Sequence, residues 1–333
     1  MDLSVIIVNY NVYDDVKLCI ENIYKHLKNI SYEIIVVDNN SESRDIENLN
    51  TLFPEVKLLL LDSNYGFSYA NNVGMKASSG KCILLLNPDI IINDGSINIL
   101  YSELITNSKT AVTGPVQIKP KEGIEYYYTF FPSVYSRFMQ EFGMYMKAKL
   151  MKKRIYNFLD ENIKAGKPFK VDWVMGSCMM LKREIFDITN GFNEAFFLFE
   201  EETEWQYRIS KLGYEIYMIP EAKVIHNHHS STSKIGKMFV LFQEYRSRII
   251  FDLTRNDIFF NLIRRIILLI SIIFRFSIFT VINFKSFDIL SKRVILYSKL
   301  LMLVFLPKFI LLKNRFIYND NINYFVNTSN AKF

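Results

Sequence analysis

Several short polar clusters in this 333-residue chain combine residue types and positions that suit chemistry on a charged small molecule. Asn9-Tyr10-Asn11 closes the apolar run Leu3 to Val8, Asp38-Asn39-Asn40-Ser41 closes Glu33 to Asp38, and Asn87-Pro88-Asp89 closes Cys82 to Leu86. A carboxylate just past the second such run accepts hydrogen bonds from a ribose or a base N–H where an open α/β sheet holds a nucleotide. Asp89 is a lone carboxylate delivered by Leu84-Leu85-Leu86, where a hard divalent cation and diphosphate oxygens could meet it. Neither GxGxxG nor GxxxxGKS/T occurs in the chain, so a diphosphate held here would be neutralised mainly by a metal. Taken singly, these Asx residues are also ordinary turn and cap residues after strands. Further on, Glu201-Glu202-Thr203-Glu204 concentrates three carboxylates, and Glu204 and Arg208 have the spacing of an i,i+4 helical ion pair. Three of the chain's four histidines, His226, His228 and His229, follow the strand-like Lys223 to Ile225.

The elements that position these groups alternate in type. Apolar, β-branched runs at Leu3 to Val8, Glu33 to Asp38, Val56 to Leu61, Cys82 to Leu86 and Ala111 to Ile118 read as strands. Amphipathic stretches near 12–28, 43–51, 68–78 and 96–106 read as helices. This β-α-β-α order predicts a mainly parallel sheet with helices on both faces, which binds ligands at the carboxyl ends of its strands. Lys119 to Pro132, with two prolines and Tyr126-Tyr127-Tyr128, is expected to be a long loop or mobile flap. An apolar and acidic block runs from Val171 to Arg208, and Glu215 to Ile219 is strand-like.

Half of the residues are hydrophobic and 22% are charged, which excludes both a disordered chain and a polytopic membrane protein. Residues 1–245 carry 26 Lys and Arg against 30 Asp and Glu, a net −4, whereas residues 246–333 carry 14 against 4, a net +10. Because the basic end is also rich in Ile, Leu and Phe, an anionic membrane surface suits it better than nucleic acid. Arg264, Arg265 and Arg275 interrupt the run Leu262 to Phe284, and Pro307 and Lys308 interrupt Leu300 to Leu312, so neither run is expected to span a bilayer. On a helix, Asn261, Arg264, Ser271 and Arg275 share one narrow face, which predicts a helix lying in the interface with its arginines toward headgroups. Two core helices packed on the body are the alternative. Cys19, Cys82 and Cys178 are scattered in apolar runs and read as reduced core residues. Met1-Asp2 leads straight into an apolar run without a basic n-region, so the expectation is a cytoplasmic chain at the inner face of the plasma membrane.

The ordered series Ser4-Val5-Ile6-Ile7-Val8-Asn9-Tyr10-Asn11, Val36-Val37-Asp38-Asn39-Asn40-Ser41, Asn64-Tyr65-Gly66-Phe67 with Ala70-Asn71-Asn72-Val73-Gly74, and Leu85-Leu86-Asn87-Pro88-Asp89 resembles glycosyltransferase family 2, in particular its rhamnosyltransferase-like members. The resemblance continues through Val171-Asp172-Trp173-Val174-Met175-Gly176-Ser177-Cys178 and Gly191-Phe192-Asn193-Glu194-Ala195-Phe196-Phe197-Leu198, covering roughly residues 3–233. It implies a GT-A fold over 1–236, an inverting transfer from a nucleotide-diphosphate sugar, and a divalent metal, Mg or Mn. Residues 237–333 would then form a helical, membrane-associating extension. The acceptor expected is a lipid-linked glycan, such as one on a polyprenyl diphosphate, or a growing surface polysaccharide.

Roles carried over by the resemblance follow residue by residue. Asp38 matches the nucleotide-contacting aspartate, with Asn9 and Asn11 beside the base. Asn64, Gly66 and Asn71 fall in a third donor-side block, where helix capping is the plainer reading. Asp89 matches the last aspartate of a DxD element reduced to Asn-Pro-Asp, and His226 matches a late histidine that serves the metal or diphosphate, with His228 able to substitute. The catalytic base aligns within Glu201-Glu202-Thr203-Glu204, where both aspartates of the family's Glu-Asp-x-Asp element are glutamate. Glu202 is the positional match and Glu204 the alternative. Trp173, Gly176 and Ser177 would shape the acceptor pocket, Trp173 offering a flat face to a sugar ring or else packing as core. A UDP-hexose donor, in place of dTDP-rhamnose, remains open, as do a nucleotidyltransferase and a non-catalytic glycan-binding protein on the same fold.

Overall fold

Strands that are apolar at every position, and not at alternate ones, are covered on both faces. β4 (Cys82–Leu86) shows this pattern throughout and the first strand, β1 (Leu3–Asn9), shows it apart from Ser4 and Asn9; both are buried almost throughout. The computed structural model describes residues 1–125, 127, 129–142, 149–227, 236–255, 257–283 and 287–305; His228 and His229, Tyr126 and Tyr128, and the end of the Leu300 to Leu312 run lie outside these.

In chain order the elements are β1, α1 (Tyr13–His26), β2 (Tyr32–Asp38), a 3-10 turn (Arg44–Asn48) leading into the single turn α2 (Leu49–Leu52), β3 (Lys57–Leu60), α3 (Phe67–Lys76), β4, β5 (Ile90–Ile92) and α4 (Ser96–Thr106). There follow β6 (Thr110–Lys119), β7 (Gly123–Ile124), α5 (Val134–Phe142), α6 (Lys149–Ala165), β8 (Phe169–Val171), β9 (Cys178–Lys182), α7 (Arg183–Thr189), α8 (Glu201–Lys211) and β10 (Glu215–His226). Three helices close the described chain: α9 (Lys237–Thr254), α10 (Ile258–Asn283) and α11 (Phe287–Phe305).

One sheet runs β3-β2-β1-β4-β9-β6-β10-β5, parallel from β3 to β4 and again between β6 and β10. β9 enters antiparallel between β4 and β6. Its apolar run was visible in the sequence but not its place, because a central strand's neighbours are set by long-range packing. α1 and α4 cover one face, where Val16, Ile20, Leu100 and Leu104 meet Leu3, Val5 and Ile7. α3, α7 and α8 cover the other, where Met75, Ile185 and Trp205 meet Ile6, Ile35 and Val37. This is the expected α/β architecture.

Three expectations need adjusting. The helix expected near 43–51 is a 3-10 turn capped by Ser43 Oγ and one helical turn. Glu215 to Ile219 and Lys223 to Ile225 are one strand, β10, with register irregularity between Ile219 and Lys223 around Pro220. The Lys119 to Pro132 segment is pinned, not a free flap: Gly123–Ile124 pairs with β6, Asp172 N–H donates to Thr129 O at 2.9 Å, and Phe131 N–H donates to Asp172 Oδ2 at 2.7 Å.

The C-terminal helices share a core with the body. Phe239, Phe251, Leu268, Ile272 and Leu300 form a buried cluster with Ala195, Phe196 and Phe197. The expected orientation of α10 is reversed. Arg264 is buried against Asp252 at 2.6 Å, Ser271 donates to Glu141 Oε2 at 2.7 Å, and Arg275 donates to Glu141 O at 2.9 Å, so the polar stripe faces α5 and α9 and not headgroups. Among the described residues no helix is long and apolar enough to cross a membrane.

Candidate active site

Parallel pairing puts Asn9 directly opposite Asp38, so both side chains leave the sheet at the same edge. Asn9 Nδ2 donates to Asp38 Oδ1 at 2.6 Å and to Ser41 Oγ at 3.0 Å; Ser41 Oγ donates to Asp38 Oδ1 at 2.6 Å and its N–H donates to Oδ2 at 3.0 Å. A carboxylate has about four acceptor positions, so this buried one keeps capacity for a ligand donor. Asn11 joins the group in the left-handed region at φ 59°, its N–H on Ser41 Oγ at 2.9 Å. Ser41, the last residue of the Asp38-Asn39-Asn40-Ser41 motif, ties all three residues together.

The next block is held mainly by its own bonds. Asn64 Oδ1 accepts from Asn39 Nδ2 at 2.8 Å and from Gly66 N–H at 3.0 Å, and Asn71 Nδ2 donates to Phe67 O at 2.9 Å. Gly66 has φ 86°, and a Cβ there would stand 2.4 Å from Phe197 O. The close approach it makes possible is therefore to Phe197, whose carbonyl also accepts the Phe67 N–H at 2.8 Å.

Beyond β4, Asp89 and His226 come together from 137 residues apart in sequence because β5 pairs with the end of β10. His226 Nε2 lies 3.5 Å from Asp89 Oδ2, and its Nδ1 lies 3.1 Å from Glu125 Oε2. Burial opposes a charged imidazole, but the hydrogen bonds and charges of Asp89 and Glu125 outweigh it and push the His226 pKa up to about 9. Asp89 Oδ1 is buried with no hydrogen-bond partner among the described residues. The orphaned Asp89 oxygen fits a hard divalent cation, and His226, its far nitrogen held by Glu125, would ligate such an ion on giving up its Nε2 proton. No group of three or more His, Cys, Asp or Glu side chains forms a metal cage among the described residues, so a cation here would need oxygens from its ligand. Glu125 escaped the sequence reading because it sits in the Lys119 to Pro132 segment with no motif around it.

The acidic cluster opens α8. Its entry is unusual, with Phe199 at φ 72° and Glu200 at φ 62°, two consecutive non-glycine residues in the left-handed region. Arg137 of α5, fully buried, grips both Glu200 carboxylate oxygens with its two Nη groups. Burial pushes the Glu200 carboxyl up, and the Arg137 guanidinium outweighs it and holds the group below its ordinary range. Glu204 is buried and receives Arg208 Nε at 3.0 and 3.1 Å, while Arg208 also donates to Thr189 O and Gly191 O. The ion-pair reading of Glu204 and Arg208 is what the structure shows.

Among the described residues no arginine bonds Glu202, which lines an open cleft of about 450 Å³ together with Phe130, Pro132, Trp173, Gln140, Glu244 and Arg248. Burial, then the charge of Glu200, push its pKa up to about 7. Gly176 stands beside it, a Cβ there being 3.4 Å from Glu202 Cβ. Trp173 stacks at 5.3 Å on Tyr127 and donates to Phe130 O at 3.2 Å, leaving part of its ring on the cleft. Ser177 faces elsewhere, exchanging hydrogen bonds with Gln117 at 2.7 and 3.0 Å. The cleft residues of α5 and α9 had no signal in the sequence, since only tertiary packing brings these helices to α8.

A strand-end polar edge, a paired Asp89 and His226, and a cleft carboxylate now stand on one α/β sheet, and the sequence profile of glycosyl transferase family 2 matches residues 4–188. The chain belongs to glycosyl transferase family 2. It is an enzyme of that family, and nucleotidyl transfer is set aside. The family match ends 13 residues before Glu201, so the carboxylate helix α8 lies beyond it. A low-salt glycan biosynthesis hexosyltransferase of Haloferax volcanii is 30% identical over 271 residues, 80% of this chain and 79% of that protein. The rhamnosyltransferase WbbL of Escherichia coli is 26% identical over 246 residues, 71% of this chain and 87% of that protein. Among solved structures, the mannosyltransferase PcManGT of Pyrobaculum calidifontis, in complex with GDP-Man and Mn2+, superposes with a TM-score of 0.53 at 13% identity over 91% of this chain and 85% of that one. GalNAc-T7 with UDP, GalNAc and Mn2+ gives 0.56 at 16% identity over 75% and 47%. At those identities the likeness establishes the GT-A fold alone.

Proposed function

We propose that this family 2 enzyme transfers a hexose or 6-deoxyhexose with inversion, from a nucleotide diphosphate to a hydroxyl of a lipid-linked or growing surface glycan, with Glu202 as general base. One observation carries the reading: of the carboxylates opening α8, Glu200 and Glu204 are held by arginines and Glu201 is buried and does not line the cleft, whereas Glu202 lines it with a pKa of about 7. A base poised near the working pH takes the proton of an attacking hydroxyl most effectively. In the cleft, Trp173 and Phe130 offer apolar faces to the acceptor ring, and Gly176 keeps the floor beside Glu202 clear of a side chain. On the donor side, Asp38, oriented by Asn9 and Ser41, accepts from the nucleoside, with Asn11 beside it. Asn64, Gly66 and Asn71 support that edge by fixing the turn into α3.

Asp89 and His226 are the residues that would hold a divalent Mg or Mn, with Glu125 orienting His226. When bound, such an ion supplies positive charge against the diphosphate leaving group. This fits the unpartnered Asp89 Oδ1, and the structurally similar enzymes contain Mn2+.

The relatives divide over the sugar. WbbL and other rhamnosyltransferases support dTDP-rhamnose, and the 30% identical hexosyltransferase supports a nucleotide hexose such as a UDP sugar. The deciding experiment is a panel of nucleotide sugars with and without Mn or Mg, read by thermal shift and by slow donor hydrolysis. Metal-dependent stabilisation by dTDP-rhamnose alone is expected. A preference for a UDP-hexose replaces the sugar, and no response to any donor or to UDP or dTDP with metal removes the reading.

A further inference from the structure

Helix α10 is amphipathic the wrong way round for a helix at a water surface. Its polar residues Arg264, Ser271 and Arg275 point into the protein, where Asp252 and Glu141 take them up. Its outward residues are apolar: Phe259 is 80% exposed, and Leu262, Ile266, Ile270, Ile273 and Phe274 follow it along the same side. At about 100° per residue these fall within a stripe about 120° wide, opposite the buried arginines. From Phe259 to Val281 the stripe extends about 33 Å at 1.5 Å per residue. A continuous apolar band of that length exceeds the bare patches that monomers in water usually carry.

We infer that the outward stripe of α10 is a membrane-docking face that lies along the surface of an anionic bilayer, apolar side chains toward the acyl region. Charge selects this occupant. Arg264 and Arg275 of α10 and Arg248 of α9 are paired with Asp252 and Glu141 inside, but residues 285–315 add seven Lys and Arg against a single Asp. A dimer through this stripe would join two chains whose residues 246–333 each carry a net +10, like charge against like. Anionic headgroups supply the opposite sign to this basic C-terminal part of the chain.

The helix that carries the face is linked to the cleft wall: Arg248 lines the cleft and pairs with Glu141 at 2.9 Å, and Ser271 of α10 donates to Glu141 Oε2 at 2.7 Å. Resting on the proposed function, docking by this face would bring a lipid-linked acceptor's headgroup to the cleft while its lipid stays in the bilayer.

The test uses the purified full chain, because removing residues from 237 onward would uncover Phe196 and Phe197. Flotation with phosphatidylglycerol-containing vesicles is compared with pure phosphatidylcholine for the wild type and for the triple variant Leu262→Gln, Ile266→Gln, Ile270→Gln. The wild type should float with anionic vesicles, and the variant should lose at least about tenfold in partitioning while donor hydrolysis in solution is unchanged. Should the triple variant misfold by circular dichroism, the single exchange Ile266→Glu reads the same face. Flotation of a folded variant like the wild type overturns the inference. So does a wild type that ignores vesicles and sediments as a dimer which the variant dissociates, since the face then belongs to a second copy. Donor hydrolysis is scored separately, so a chain that floats but hydrolyses no donor refutes the catalytic reading and leaves the docking face standing.

Discussion

At the ends of β1 and β2, Asn9, Asp38 and Ser41 hold one another with bonds of 2.6 to 3.0 Å and a single charge among them. Behind the start of α8, Arg137, Glu200, Asp252, Arg264, Glu141 and Arg248 bury or half-bury six charges contributed by three helices and a loop. The first group is a neighbourhood of strand ends, joined by parallel register. The second is assembled from residues up to 127 positions apart and is incompletely satisfied, with Arg137 Nε, Asp252 Oδ1 and Arg264 Nε lacking hydrogen bonds among the described residues. The contrast teaches that the proposed nucleotide edge is preformed by local geometry, whereas the proposed acceptor edge depends on how the C-terminal helices press on α8.

The largest effect should come from the point where the two regions meet the reaction. Glu202→Gln removes the only cleft carboxylate of α8 without an arginine, and an amide takes no proton. Turnover should fall about 10³-fold, equivalent to about 4 kcal/mol, with donor affinity nearly intact by titration with metal present. The base works only when ionised, so wild-type kcat should rise as pH passes upward through about 7 and then level off. That rise should be absent from the residual activity of the variant. Near-wild-type turnover would move the base elsewhere.

Arg137→Ala tests the buried network next. Deleting one partner leaves the Glu200 carboxylate uncompensated beside Glu201 and Glu202, and removing half of a buried ion pair costs about 3 to 4 kcal/mol. Urea denaturation should show a loss of that size, and what activity remains should require a higher pH, because an unneutralised Glu200 raises the Glu202 pKa further. A loss below about 1 kcal/mol would mean that the network merely fills space.

On the nucleotide side, Gly66→Ala should cost about 2 kcal/mol, since φ 86° is unfavourable for alanine and the added Cβ would meet Phe197 O at 2.4 Å. Thermal unfolding checks this. Both clashing atoms nearest Gly66 belong to a residue in the core shared with α9 to α11, so the variant also asks how far the preformed edge is insulated from the C-terminal helices. Unchanged affinity for a nucleotide diphosphate in the folded fraction supports insulation.

What could be read in the sequence follows the same division. Asn9, Asp38 and Asp89 were legible because a strand end places its next residues without help from distant chain. Glu125 reaches His226 across 101 positions and Arg137 reaches Glu200 across 63, distances over which composition and period say nothing. α10 is the instructive failure. Its periodicity correctly put Arg264, Ser271 and Arg275 on one face, but period alone does not say which face meets the protein. That choice was made by Asp252 and Glu141 on other helices.

The smallest effect should be that of Glu204→Gln, and it sharpens the comparison most finely because Glu204 lies two residues from the proposed base. Its carboxylate is buried, yet Arg208 is about one-third exposed and keeps its bonds to Thr189 O and Gly191 O at 2.8 and 2.5 Å. After the exchange the guanidinium still reaches water and two carbonyls, and the glutamine oxygen can still accept from Arg208 Nε. A loss of about 1 kcal/mol in chemical denaturation is therefore expected, with kcat within about twofold of wild type. Burial raises the Glu204 pKa while Arg208 lowers it, so the exchange replaces a partly compensated carboxylate with a neutral group of the same shape. If instead turnover collapses as steeply as in Glu202→Gln while stability barely moves, the proton is taken by the carboxylate facing Arg208. The cleft around Trp173 and Glu202 would then be an acceptor groove without the base.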